Sequence, residues 1–171
     1  MLGPKLGDAG LETVDAVPAA TVIALMAGVS FVAGLIHIRA SIDHADEFLL
    51  YTPVFALLAA LQIGWAVWVT RASSRRVLLC GGALNLAIIG LWVASRTIGV
   101  PIAEQPWVPE AVGAPDLMAT VAESVIVLGT ACMLMALQSP VAQRVLARLA
   151  PVLLVVTFLS VLYGLGGGHA G

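Results

Sequence analysis

FLLYTPVFALLAALQIGWAVWVTRASSRRVLLCGGALNLAIIGLWVAS, residues 48–95, decides the fold. Two apolar runs, 48–69 and 77–95, flank a short loop that holds Arg71, Arg75 and Arg76. About 20 apolar residues in a helix span a hydrocarbon core. Each run is therefore long enough to cross a bilayer, and the loop is short enough to make the two antiparallel neighbours. Runs of the same character occupy 19–38, 117–137 and 149–165, the last being the shortest. The sequence thus predicts an all-α, polytopic integral membrane bundle of five transmembrane helices. Residues 1–18 form a polar N-terminal segment, 19–165 a single transmembrane helical domain, and 166–171 a Gly-rich tail.

Composition agrees. The chain is 60% hydrophobic and only 11% charged, against roughly 25% charged in soluble proteins, and its mean hydropathy is +1.03. A net charge of −2, with no basic arm and no aromatic–basic interleaving, gives no sign of nucleic-acid binding. The partners implied are the lipid bilayer and other membrane proteins or further copies of the chain. The first apolar run leads into His37, Ile38 and Arg39 rather than a small-residue cleavage site, so it reads as a retained helix.

Lys and Arg concentrate in cytoplasmic loops. Arg71, Arg75 and Arg76, then Arg144 and Arg148, then Lys5 fall on one side of a five-span chain. Only Arg39 and Arg96 fall on the other. The N-terminus is therefore expected inside and the C-terminus outside a cell membrane. Trp92 and Trp107 suit an outer aromatic belt, and Trp65 and Trp68 an inner one. Cys80 and Cys132 read as small apolar packing residues. No nucleophile elbow, phosphate loop or dinucleotide motif is present; Gly166 to Gly168 follows no strand.

Helices in lipid approach through small residues. Ala56, Ala60 and Gly64 on the second helix, and Ala83, Ala87, Gly90 and Ala94 on the third, are candidate contact faces. Gln62 and Asn85 sit at matching depths, roughly 10–12 Å from the inner boundary. They are expected to form an interhelical amide bond or to line a polar path. The segment 101–115 holds four prolines, cannot be a regular helix, and is expected to fold back over the bundle as an outer loop.

The ionisable residues gather at the outer side. His37 and His44 are seven apart and share a helical face with Ser41 between them. Glu47 follows His44 by three. Two imidazoles and a carboxylate suit zinc, copper or another divalent transition metal, although H-x6-H-x2-E is not a standard zinc signature. Glu123 lies inside the fourth apolar run, where a carboxylate is costly and needs a partner. Arg96, His37 and His44 are at its level. A Glu123–Arg96 pair, a fourth metal ligand and a proton-relaying carboxyl are all open. Asp116 shares its face. His169 sits in the glycine tail, close enough in topology to join but free to stay apart.

The runs Ile36-His37 with Asp43-His44-Ala45-Asp46-Glu47, and Leu91-Trp92-Val93-Ala94-Ser95-Arg96-Thr97-Ile98-Gly99-Val100-Pro101, resemble small polytopic membrane proteins common in actinobacteria. So does Pro109-Glu110-Ala111-Val112-Gly113 with Asp116 and Glu123. The resemblance covers residues 34–128. It implies a shared outer-side polar site at His37, His44, Glu47, Arg96, Asp116 and Glu123, and no named activity. Where that group has Glu-His, this chain has Asp43-His44, a shorter carboxylate. The leading expectation is a divalent-metal site at His37, His44, Glu47 and Glu123, supported by Arg96, Asp116, Gln62 and Asn85. The alternatives are an accessory subunit of a respiratory or oxidase complex, and a proton-coupled transporter.

Overall fold

The computed structural model describes residues 19–46 and 48–136, with Val141, Val152 and Val155. Four helices form its body: α1 (Ala19–Asp43), α2 (Tyr51–Arg71), α3 (Arg75–Thr97) and α4 (Ala114–Ala136). Each is long and apolar enough to cross a membrane. The shortest, at 21 residues, spans about 31 Å at 1.5 Å per residue. Leu57, Leu86 and Leu128 stand exposed, as lipid-facing side chains should. The chain is a multi-pass membrane protein. Of the fifth expected span, 149–165, only Val152 and Val155 lie among the described residues.

The helices overrun the apolar segments at several ends. The first continues five residues past Ile38, to Asp43, and the fourth begins three residues before Leu117, at Ala114. Polar residues at an interface are free to stay helical because water and headgroups solvate them. Pro115 falls in the first turn of α4, where a missing N–H costs little. Ser74 caps α3 by accepting from the Val77 amide.

α1 packs between α2 and α4, and α4 packs on α3. A buried polar chain ties three of these helices. Ser30 Oγ donates to Gln62 Oε1 at 2.6 Å. Gln62 Nε2 donates to Asn85 Oδ1 at 2.8 Å, and Asn85 Nδ2 to the Gly81 carbonyl at 2.8 Å. All three polar residues are wholly buried. The two amides meet as their matching depths require.

The small-residue faces do not. Ala56, Ala60 and Gly64 on α2, and Ala83, Ala87 and Gly90 on α3, are exposed. Contact is made by large side chains against glycines on other faces. A methyl on Gly34 would lie 2.6 Å from Ile63, and one on Gly81 about 2.1 Å from the Trp65 indole. Trp65 therefore belongs to the bundle and not to an interfacial belt. It is buried, and its Nε1 donates to the Val77 carbonyl at 2.9 Å.

Gly81→Ala should displace that indole and break its hydrogen bond, destabilising the protein by about 1–3 kcal/mol. Gly64→Ala, whose added methyl meets nothing within 4 Å, should cost nothing. Thermal unfolding in one detergent compares the two.

Candidate functional site

The deepest ionisable group is Glu123, nine residues into α4 and about 13 Å along its axis. It is 1% exposed. At such depth a carboxylate must find a partner, and the partner is His37 on α1, itself buried. His37 Nε2 and Glu123 Oε1 stand 3.1 Å apart. α1 extends past Ile38, so His37 is six residues inside the helix, where it faces α4.

Arg96 does not pair with Glu123. At the end of α3 it bonds Asp116 Oδ2 at 2.5 Å and Ser95 Oγ at 2.7 Å, and it pairs with the Glu110 carboxylate. The Arg96 guanidinium lies 5.9 Å from the centre of the Trp92 ring, within cation–π range. Asp116 stands in the first turn of α4, where the helix dipole favours a negative charge.

Glu110 also accepts from the Tyr51 hydroxyl at 2.8 Å, and its own amide donates to the Ser95 carbonyl at 2.9 Å. One loop residue thus staples the α3–α4 connection to α2 and α3. The loop does fold back over the bundle, and its own Ala103 is buried.

His37 and His44 do share a face, and both rings stack on Phe55 of α2, with centroids 6.1 and 5.7 Å away. Tyr51 meets the edge of His44 at 5.7 Å. Ser41, between the two histidines, donates to the Thr52 carbonyl instead. Among the described residues no three His, Cys, Asp or Glu side chains converge as a metal site. Glu47 and His169 lie outside the described residues. Gln62 and Asn85 sit apart from this site, in the polar chain at the middle of α2 and α3.

Two cavities connect these groups. An inner one is lined by apolar residues such as Val54, Leu58, Ile88 and Leu91, with His37, Glu123, Trp92 and Arg96 among them. An outer one, under the loop, is lined by His44, Glu104, Glu110, Asp116 and Arg96. Three carboxylates against one guanidinium make the outer cavity acidic. Tyr51, Phe55, Arg96, Glu110 and Asp116 line both.

Tyr51 and Phe55 are the site residues that sequence reasoning passed over, and Glu110 it noted without giving it a role. A tyrosine opening an apolar helix and a glutamate between prolines were the available signals. No protein-family model matches the chain, and no curated protein or solved structure matches it.

Glu110→Ala should release the loop, because it removes both side-chain anchors while leaving the helices intact. Amide hydrogen exchange across 99–113 should quicken at least tenfold, the equivalent of about 1.4 kcal/mol, since one hydrogen bond to a charged group contributes about 1.5–3 kcal/mol. Tyr51→Phe should give a smaller effect in the same segment. Unchanged exchange in both variants would show that the loop is held by other contacts.

Proposed function

We propose that this chain binds a divalent transition-metal ion, zinc or copper, in the outer half of its bundle, with His37 and Glu123 as ligands. The observation that carries the reading is the 3.1 Å spacing of His37 Nε2 and Glu123 Oε1. Two ligand atoms with bonds of about 2.0–2.1 Å at a tetrahedral angle lie roughly 3.3 Å apart, so an ion needs only a slight opening of the pair. An imidazole and a carboxylate are donors that zinc accepts. The acidic outer cavity supports the reading as well, since clefts of one charge sign concentrate counter-ions. The remaining coordination positions go to water or to further side chains, His44 and Glu47 among them.

Metal analysis of the detergent-purified protein tests this. About one ion per chain is expected, retained through dialysis, and lost or bound at least about 10-fold more weakly in His37→Ala and Glu123→Gln, since even groups that only orient a ligand are worth about 10–100-fold. A metal-free protein that takes up neither ion when each is supplied would sink the proposal.

A second reading is favoured by the same bond. A buried imidazole and carboxylate that already share a hydrogen bond form a pair able to accept or release one proton toward the outer cavity, as intramembrane acid–base pairs in proton-coupled proteins do. A chain without metal whose His37→Ala variant loses a proton-linked transport activity would establish it.

The proposed setting is a cell membrane crossed five times, N-terminus inside and C-terminus outside. Its support is the clustering of Arg71, Arg75 and Arg76 at the α2–α3 turn, against Arg39 and Arg96 at the opposite end. In a background lacking Cys80 and Cys132, Gln105→Cys should react with an impermeant maleimide in intact cells. Ser73→Cys should react only after lysis. The reverse pattern would invert the topology.

A further inference from the structure

We propose that the inner cavity is a binding site for a small, neutral, membrane-soluble carbonyl compound of the quinone type. Three observations lead there. The first is size. The cavity leaves about 120 Å³ to the centre of a water-sized sphere, whereas one water needs roughly 10–15 Å³ on that measure. It suits a ring rather than a lone ion, and its walls, Val54, Leu58, Ile88 and Leu91, are apolar.

The second observation is a pair of orphan donors. Trp92 Nε1 and Arg96 Nε are buried and have no hydrogen-bond partner. They are four residues apart on α3, hence on one face, and both residues line the cavity. Buried N–H groups are almost always paired. Both atoms are closed off from the cavity as it stands, so a ligand's acceptor oxygen satisfies them only when the Trp92 and Arg96 side chains turn toward it. At the deep end, the His37–Glu123 pair supplies a second polar contact. Polar groups at both ends with apolar walls between them match a ring bearing an oxygen at each end.

Charge makes the third argument. Arg96 already pairs with Glu110 and Asp116. A ligand carboxylate or phosphate would add a further negative group beside two present ones, without a free cation among the described residues lining the cavity. The acceptor oxygen is therefore that of a neutral carbonyl. This inference shares the His37–Glu123 pair with the metal reading at the deep end of the cavity, while Trp92 and Arg96 are not proposed ligands of the ion.

The test uses the full chain with Cys80 and Cys132 replaced by Ser, since free thiols add covalently to quinones, in lipid nanodiscs titrated calorimetrically with 2-methyl-1,4-naphthoquinone, with empty discs subtracted. Saturable binding near one per chain is expected. The carbonyl-free 2-methylnaphthalene should fail to compete. Trp92→Phe, which keeps a ring but loses the N–H, should weaken binding about two- to tenfold, the worth of one hydrogen bond. Ala119→Leu, which fills the cavity from a buried wall position, should weaken it more than tenfold. Uptake no greater than by empty discs would overturn the proposal, as would equal competition by the hydrocarbon. If either variant fails to fold, the comparison of quinone with hydrocarbon on the protein with Trp92 and Ala119 intact decides alone. Metal content measured in parallel keeps failure here distinct from failure at His37–Glu123.

Discussion

The amide bond from Gln62 to Asn85 is the constraint on which the site depends. It holds α2 to α3 in the half of the bundle nearest their connecting turn, together with the Trp65–Val77 bond. Inside a bilayer no water competes for these groups, so each must find its partner in protein. Beyond this clamp the facing residues are Phe55 and Leu58 on one helix and Ile88 and Trp92 on the other, and a cavity lies between them. The bond is modest in energy, on the order of 0.6–2 kcal/mol, yet its position sets where the helices are joined. What is left unjoined becomes the space for a ligand.

The same rule, that a buried polar group needs a partner, orders the other end. Glu123 is satisfied by His37, and Arg96 by Glu110 and Asp116. The two sets could have been exchanged, with Arg96 neutralising Glu123. They are not, because Arg96 ends α3 while Glu123 lies several turns down α4. Keeping the arginine at the rim leaves the deep pair with an imidazole, which unlike a guanidinium can lose its proton or take a metal. That choice of partner is what gives the pair possible chemistry beyond charge neutralisation.

The four described helices were legible because length and hydropathy alone determine a span. The Gln62–Asn85 contact was legible because two antiparallel helices joined by a short turn can be measured from that turn. The partner of Glu123 was not. Depth places His37, His44 and Arg96 within reach, and only rotation about each helix axis distinguishes them. Rotation was also what misled the small-residue faces. Alanine is nearly as content facing lipid as facing a helix, so Ala56, Ala60 and Gly64 carry little directional information. Gly34 and Gly81 carry more, since each receives a large side chain, but that pairing of large with small appears only when both helices are seen.

Glu110 shows how a loop residue can matter more than its position suggests. Its backbone amide, one carboxylate oxygen and then the other engage Ser95, Tyr51 and Arg96. Three contacts from one residue convert a proline-rich connection into a cover with a defined seat. The cover borders the acidic outer cavity, and its anchor, Arg96, lines the inner one as well. A ligand that drew Arg96 toward Trp92 would weaken the hold on Glu110, and a loop that lifted Glu110 would free Arg96. A ligand in the inner cavity that moved this guanidinium would be energetically linked to opening of the outer loop, and the linkage would be reciprocal.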